Sequence, residues 1–255
     1  MSLVEHSSRS GIIWSGATTV RARPWPGVPD RAFLLISGSH GPDLRLPDAT
    51  VISQWLQTLA SWGYTSVRTT AMAPPVARIF QSLGFVTVQD LSLLQVHHTR
   101  ADLVDLPTDI APRIMPTGRV ARLLKPASLH NILSLDIAAF GHDWQMDMTN
   151  FTDALSATSQ SRVFVSRRNS THEGFVLVGY TGRHGFVQRL AVHPQARRNG
   201  IATCLLSSAL NWVINNGCTD TVVNTELTNQ PAQNLYRKFG FVDMNHGLVV
   251  MEREL

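Results

Sequence analysis

The sequence from Val187 to Leu206 reads VQRLAVHPQARRNGIATCLL. An apolar run that ends in polar residues and then resumes at helical spacing predicts a buried strand, a tight turn and a helix. The first amide groups of such a helix point the same way, and the helix dipole adds about half a positive charge there. The stretch therefore predicts an anion site, where Gly200 lets the backbone approach a ligand and Arg197 and Arg198 add charge.

Two segments of the chain resemble motifs of one known family. Arg197–Ala202 resembles the R/Q-x-x-G-x-G/A pyrophosphate loop of the GCN5-related N-acetyltransferase (GNAT) superfamily, and Leu190–Pro194 before it resembles the end of that family's fourth strand. Farther on, Asn229–Phe241 resembles the family's N-x-x-A-x-x-L-Y-x-x-x-G-F segment. The two motifs stand in the family's order, and the resemblance covers residues 113–255.

The resemblance implies an acetyl-CoA-dependent N-acyltransferase that moves an acetyl group to a primary amine. A small amine, a peptide terminus and a lysine remain open as the acceptor. In the family, the strand at Leu190–Val192 splays from the next strand and pairs its free backbone groups with the cofactor's amides. The residues that the resemblance assigns to acetyl-CoA are Leu190, Ala191, Val192, Arg197, Arg198, Asn199, Gly200, Ile201, Ala202, Thr203, Asn229 and Tyr236.

Tyr236 is the predicted general acid. A tyrosine phenol has an unperturbed pKa near 10, above the value of about 8.5 for a thiol, so it is protonated at neutral pH and can donate to a departing thiolate. By the resemblance, it lies at the cofactor's sulfur. Asn229 either tethers the cofactor or caps the last helix.

The sequence does not fix a general base. Many family members carry a glutamate on the key strand or on the next one, and here those positions hold Phe186 and Asn224. Glu226 shares a strand face with Asn224, because alternate strand residues point the same way. His193, His184 and a chain of water molecules are the alternatives. The missing carboxylate keeps a second interpretation open, a non-catalytic acyl-CoA-binding sensor or regulatory protein.

The composition is that of a globular protein, with 255 residues of which 44% are hydrophobic and 16% charged. The net charge is +4 and comes almost wholly from scattered arginines, since Lys125 and Lys238 are the only lysines. A polyanionic cofactor needs only a local basic patch, whereas nucleic-acid binders concentrate their charge. We therefore do not expect a nucleic-acid partner.

The chain carries no sign of a membrane, metal or secreted protein. Its longest apolar runs, such as Ala32–Ile36, are too short to cross a bilayer. The first residues, with Glu5 and His6, lack the apolar core of a signal peptide. Cys204 and Cys218 are predicted to be buried free thiols. We expect a cytoplasmic protein without a metal, and the oligomeric state stays open.

The first half of the sequence repeats the second half at a constant shift of 156 residues. The shift superimposes identical residues without a gap, among them Leu34 on Leu190, Thr69 on Thr225, Pro75 on Pro231, Gly84 on Gly240 and Phe85 on Phe241. Identical proline, glycine and phenylalanine positions indicate an internal duplication. The functional positions differ, because Gly41, Leu44, Leu46, Ala73 and Phe80 replace Arg197, Gly200, Ala202, Asn229 and Tyr236.

Together these patterns predict an α/β fold with a mixed sheet and two GNAT-like halves. The N-terminal half, at 1–100, is a shortened and degenerate copy, and the complete catalytic domain is at 113–255, after a linker at 100–112. One acetyl-CoA per chain is expected, in the second half. The predicted strands are at 11–14, 18–22, 32–37, 67–69, 119–124, 162–166, 174–180, 187–192, 221–225 and 248–252, and 85–97 is predicted as a strand or a hairpin. The predicted helices are at 48–62, 75–83, 128–140, 148–157, 201–216 and 231–239, and Asp48 is the predicted N-cap of the first.

Overall fold

The computed structural model describes residues 9–15, 18–36, 48–103, 112–115, 126–168 and 171–255. The strand predicted at 119–124, most of the expected linker and the loop that carries Gly41, Leu44 and Leu46 lie outside these residues.

The described residues form a mixed α/β fold, as predicted. The helices are α1 (Ala49–Ser61), α2 (Pro74–Ser82), α3 (Pro126–Phe140), α4 (Met148–Ser156), α5 (Ile201–Asn215) and α6 (Gln230–Lys238). The strands are β1 (Gly11–Ser15), β2 (Thr18–Trp25), β3 (Val28–Ile36), β4 (Ser66–Thr69), β5 (Val86–His97), β6 (Arg113–Met115), β7 (Gln160–Arg168), β8 (Thr171–Thr181), β9 (His184–Val192), β10 (Asp220–Glu226), β11 (Val242–Asp243) and β12 (Leu248–Glu254).

The chain divides into two compact units. Unit 1 comprises Met1–Ser92 and Asn245–Leu255, and unit 2 comprises Leu93–Met244. The expected domains, 1–100 and 113–255, differ from this division at both boundaries. The C-terminal strand β12 belongs to unit 1, because it pairs antiparallel with β4 and with the first part of β5. A boundary read along the sequence cannot show such a return of the chain.

Unit 1 is a sheet in the order β1-β2-β3-β4-β12-β5 with α1 and α2 packed against it. Asp48 caps α1 as predicted, because its Oδ1 accepts a hydrogen bond from the Val51 N–H at 2.8 Å. The helix buries Trp55 and Leu59 completely. Each such side chain contributes about 1.5–3 kcal/mol by leaving water.

Unit 2 is a sheet in the order β5-β10-β9-β8-β7-β6, with β11 also paired to β5. Each face of this sheet has its own apolar layer. Leu205, Leu206 and Val213 of α5 lie in one layer, with Tyr236 of α6. In the other layer, residues of α3 and α4 pack against Phe175 of β8 and the small residue Ala191 of β9. The site described below lies where β9 separates these two layers.

The segment predicted as a strand or hairpin at 85–97 is the single strand β5. In unit 1, its residues 86–91 pair with β12. In unit 2, Leu94 and Gln95 pair with Asp243 and Val242 of β11. Each unit thus contains a strand from the other half of the sequence.

The elements repeat at the predicted shift. Moving β3 by 156 residues reproduces the bounds of β9, and moving α2 reproduces the bounds of α6. The α2 helix begins after Ala73 without a side-chain cap, whereas Asn229 caps α6. The two halves therefore share one arrangement and differ in its details.

Two sequence expectations concern the chain as a whole. Cys204 and Cys218 are both free thiols, as predicted, although only Cys218 is fully buried. In the part of the chain that the structure describes, none of the helices has the length and apolar character needed to cross a membrane.

We predict that residues 113–255 expressed alone will be poorly soluble. Without residues 93–97, strand β10 loses a neighbour and β11 loses its pairing partner, and unpaired strand edges promote aggregation. Residues 93–244, which retain the whole of unit 2, provide the matched control. The soluble fraction and the elution volume in size-exclusion chromatography report the difference. Equal solubility of the two fragments would show that the β5 segment is dispensable for unit 2.

Candidate functional site

Strands β9 and β10 run parallel at first and then separate. Their pairing extends from His184 opposite Asp220 to Val187 opposite Val223. Both strands continue past this point, β9 to Val192 and β10 to Glu226. On its other edge β9 stays paired with β8 as far as Val192. The edge of β9 that faces the opening therefore has backbone groups without ladder partners, which is the cleft that the resemblance implies.

A β-bulge at Gln188 marks the point of separation. Arg189 pairs with Leu177 and Val187 pairs with Val178, so Gln188 is the extra residue of β9. Gln188 and Arg189 both turn to the α3–α4 side, where Gln188 Nε2 donates to Thr158 Oγ1 at 3.3 Å. A bulge bends its strand and increases the local twist. It therefore accounts for the departure of β9 from β10.

The predicted anion loop ends at the N-terminus of α5. Gly200 is the N-cap residue and has a left-handed backbone with φ of 75°. The first amide of this helix to bond backward is that of Cys204, which donates to the Gly200 carbonyl at 3.0 Å. The amides of Ile201, Ala202 and Thr203 lie in the first turn, and they have no acceptor inside the helix. A Cβ added to Gly200 would project into open space.

The three residues before Gly200 are exposed and shape the loop. Arg198 has a left-handed φ of 65°, unusual for a residue with a side chain. Arg197 holds the loop in place, since Nε donates to the Val192 carbonyl at 3.4 Å and Nη2 to the Ala139 carbonyl at 3.3 Å. Asn199 Nδ2 donates to the Ala196 carbonyl at 3.3 Å. The free amides of the first turn, the helix dipole and two exposed arginines therefore lie at the same end of α5, an arrangement suited to binding an anion.

Tyr236 lies on the inner face of α6. It is 5% exposed, and its ring packs against Phe241 with the centroids 5.6 Å apart. Burial raises the pKa of the phenol above its usual value near 10. Among the described residues, the hydroxyl has no hydrogen-bond partner. The phenol therefore stays protonated at neutral pH, as a proton donor must.

The other predicted residues lie at or next to the ends of α6, β10 and β9. Asn229 caps α6, because its Oδ1 accepts from the Ala232 N–H at 3.2 Å. Glu226 is the last residue of β10, half-exposed and on the same strand face as Asn224, as expected. His193 Nδ1 accepts a hydrogen bond from the Gln195 amide at 3.3 Å. His184 begins β9, at the end where the two strands are paired, and its Nδ1 lies 2.9 Å from Asp220 Oδ2.

The corresponding strands of unit 1 do not separate in the same way. Strands β3 and β4 are paired through Leu34 opposite Thr69, and the Thr70 amide also donates to the Leu34 carbonyl at 3.1 Å. At the shift of 156 residues, Leu34 corresponds to Leu190, which lies beyond the separation in unit 2. In unit 1 the backbone at Leu34 is therefore paired, whereas its counterpart Leu190 lies in the part of β9 that has left β10.

Sequence reasoning missed a buried ion pair beside the cleft. Arg189 of β9 binds Asp136 of α3 through two hydrogen bonds, from Nε at 2.7 Å and from Nη2 at 2.8 Å. Asp136 is fully buried. An acidic residue within the apolar pattern of α3 was the available signal. Its partner lies 53 residues away, which no local pattern reveals.

Comparison with known proteins agrees with this geometry. Residues 129–241 match the sequence profile of the Acetyltransferase (GNAT) family. A stretch of 60 residues is 42% identical to N-alpha-acetyltransferase 30 of Homo sapiens and spans 24% of this chain and 17% of that protein. A stretch of 65 residues is 32% identical to aminoglycoside N(6')-acetyltransferase type 1 of Klebsiella aerogenes and spans 26% of this chain and 43% of that protein.

Solved structures match over nearly the whole chain. The tandem GNAT protein from the clavulanic acid biosynthesis pathway gives a TM-score of 0.63 at 13% sequence identity. The match covers 97% of this chain and 84% of that protein's chain. A GCN5-related N-acetyltransferase from Sphaerobacter thermophilus gives 0.59 at 16% identity, covering 93% of this chain and 76% of its own. At this identity the likeness establishes the fold. Residues 129–241 thus match the GNAT acetyltransferase family, and the chain shares its fold with the tandem GNAT protein.

We predict that Gly200→Val abolishes acetyl-CoA binding. The branched side chain would fill the open space before the helix amides, and it would strain a backbone with φ of 75°. Gly217→Val is the matched control, since Gly217 has φ of 81°, faces open space and follows the other end of α5. Calorimetry should give one site per wild-type chain, one site in the control and none in Gly200→Val. Near-normal affinity for acetyl-CoA in folded Gly200→Val would show that the loop is not part of the binding site.

Proposed function

We propose that the protein is an acetyl-CoA-dependent N-acetyltransferase and that each chain has one active site, in unit 2. The separation of β9 from β10 directly beside the free amides of α5 carries this proposal. The helix N-terminus suits the diphosphate of coenzyme A. The open edge of β9 at Leu190–Val192 suits the amides of its pantetheine arm, because unpaired backbone groups gain most from an amide-bearing ligand.

In the proposed reaction, the neutral amine attacks the carbonyl carbon of the thioester. A C–N bond forms, the tetrahedral intermediate collapses, and the C–S bond breaks with its electron pair going to sulfur. Tyr236 gives the departing thiolate its proton and regains one from solvent or from the nitrogen. The nitrogen loses its surplus proton, and the products are the acetamide and coenzyme A.

The first half of the chain provides an internal reason to assign the Tyr236 hydroxyl to chemistry. At the equivalent position Phe80 is fully buried and packs against Phe85 with the ring centroids 5.0 Å apart. The same packing thus forms without a hydroxyl, whereas a hydroxyl in an apolar layer carries a desolvation cost. A role in proton donation explains why the second half has tyrosine at this position.

Glu226 is our candidate for the group that takes the amine proton. It lies at the open end of β10, and its backbone is fixed by Gln233 of α6, whose Nε2 donates to the carbonyls of Glu226 at 3.3 Å and Leu227 at 2.7 Å. A half-exposed carboxylate there can pass the proton to solvent. A water chain without a dedicated base remains the alternative.

The acceptor is proposed to be a primary amine. The two curated relatives are named as an N-alpha-acetyltransferase and an aminoglycoside acetyltransferase, and both names imply acetylation of an amine. Since the chain spans only part of each relative, the particular amine is for experiment to decide. A reducing compartment such as the cytoplasm belongs to the same proposal, supported by the free thiols of Cys204 and Cys218.

A binding function without turnover is the second candidate. It is favoured by Phe186 and Asn224, which occupy the positions where many family members carry a glutamate. The screen that separates the two candidates offers small amines, aminoglycosides, lysine peptides and free peptide N-termini together with acetyl-CoA, and it measures thiol release. Acetyl-CoA binding without thiol release from any acceptor would support the sensor.

We predict that Tyr236→Phe lowers kcat by about 10²–10⁴-fold and leaves acetyl-CoA affinity nearly unchanged, because it removes the acid and retains the ring. Tyr180→Phe is the control, since it removes a phenol that donates to Asn216 Oδ1 at 3.2 Å. Steady-state rates on an acceptor from the screen, together with calorimetry, give both quantities. If chemistry limits the rate and kcat does not change, Tyr236 has a packing role only.

A further inference from the structure

Asp136 is a carboxylate that the apolar layer of α3 encloses completely. Three donors converge on it. These are Nε of Arg189 at 2.7 Å, Nη2 of Arg189 at 2.8 Å and the backbone amide of Met146 at 2.7 Å. Its charge is thus balanced by a bidentate guanidinium, which has the strongest geometry available to such a pair.

Arg189 makes two further contacts. Its Nη2 donates to the Trp144 carbonyl at 2.8 Å, and its guanidinium carbon lies 3.5 Å from the centroid of the Phe140 ring. Phe140 ends α3, and residues 144–146 lead from α3 to α4. One arginine of β9 therefore holds the end of a helix and the segment that follows it.

The position of Arg189 connects this network to the site. It follows the bulge at Gln188, so it lies in the part of β9 that has left β10. Strict alternation would place Arg189 on the face of Val187, toward α5, and the bulge turns it toward α3 instead. Arg197 of the anion loop reaches the same helix end through the Ala139 carbonyl.

Stability alone gives little reason for this pair. A buried ion pair loses its solvation, and apolar residues of similar volume often stabilise a protein as well or better. An apolar replacement would make no directional hydrogen bonds. Its dispersion contacts would not fix the Trp144 carbonyl and the Met146 amide relative to β9. The pair is therefore best explained by the position it imposes.

We propose that Asp136 and Arg189 are positioning residues that hold segment 142–148 beside the separated part of β9, where that segment forms one wall of the acceptor site. The inference rests on the proposed acetyl transfer. Trp144 and Gln145 of this segment are half-buried and Met148 is 50% exposed, so the wall combines aromatic, polar and apolar side chains. The pair acts on the acceptor through these residues and not by contact.

The test compares Arg189→Lys and the double variant Asp136→Leu/Arg189→Met with the wild type. Lysine keeps the charge and loses the planar fork, whereas the double variant removes both charges and keeps an apolar volume. We expect the acceptor KM to rise about 10-fold or more in both, because misplacement by 1 Å can cost on the order of 10²-fold. Acetyl-CoA affinity should stay near the wild-type value, and thermal stability should fall in Arg189→Lys but be preserved or increased in the double variant.

Unit 1 offers a matched control pair. Arg68 Nε lies 2.6 Å from Glu252 Oε2, and their side chains are 5% and 14% exposed. Arg68→Lys should lower the melting temperature as Arg189→Lys does, and it should leave the acceptor KM unchanged. A purely structural role for Asp136 and Arg189 predicts the same pattern in both lysine variants. An unchanged acceptor KM in Arg189→Lys and in a stable double variant would therefore overturn the proposal.

A measurement without turnover separates this inference from the proposed function. Hydrogen exchange reports the amide protection of segment 142–148 in the free and acetyl-CoA-bound protein. If the wild type binds acetyl-CoA and acetylates no amine, the proposed function fails. The positioning role then stands if exchange in 142–148 accelerates in the double variant and not in Arg68→Lys. Unchanged protection of 142–148 in the double variant would contradict it.

Discussion

The separation of β9 from β10 is the constraint on which the site depends. Two parallel strands that stop pairing at Val187 and Val223 leave backbone donors and acceptors to be satisfied by water or by a ligand. The β8 ladder holds the opposite edge of β9, so the cleft stays open without loss of the sheet. The helix that follows β9 then presents its free amides beside the same cleft. Our proposal that a long ligand with a diphosphate and amides binds here rests on these two features together.

The two halves of the chain share their packing, and a few local features distinguish the half that carries the candidate site. Strands β3 and β9 cover matching residues, as do helices α2 and α6, yet β3 keeps its pairing with β4 at the position where β9 has lost its own. The phenylalanine pair of unit 1 and the tyrosine–phenylalanine pair of unit 2 fill the same place in their apolar layers. Packing is thus common to both halves, and the open edge and the hydroxyl distinguish the second.

The exchange of strands gives the duplication a structural consequence. Strand β12 completes the sheet of unit 1, and residues 93–97 of β5 complete that of unit 2. Each half of the sequence thus supplies a strand that the other sheet lacks. Without that strand, the sheet would have an unpaired edge, and such edges are prone to aggregate. This arrangement explains the persistence of the first half in physical terms, apart from any role in binding.

The sequence by itself determined the six helices, most of the strands, the repeat at a shift of 156 residues and the glycine turn before α5, whereas the short strands β6 and β11 were not predicted. Helical and strand periodicity, the caps at Asp48 and Asn229 and the glycine at position 200 are local signals, because they depend on backbone conformation and on neighbours a few residues away. Only the tertiary structure decided the return of β12 to unit 1, the bulge at Gln188 and the pairing of Arg189 with Asp136. Each of these depends on contacts between distant residues or on strand register, and the residue types alone permit several partners. A carboxylate in α3 could face solvent, and it is the packing of α3 against β9 that encloses it.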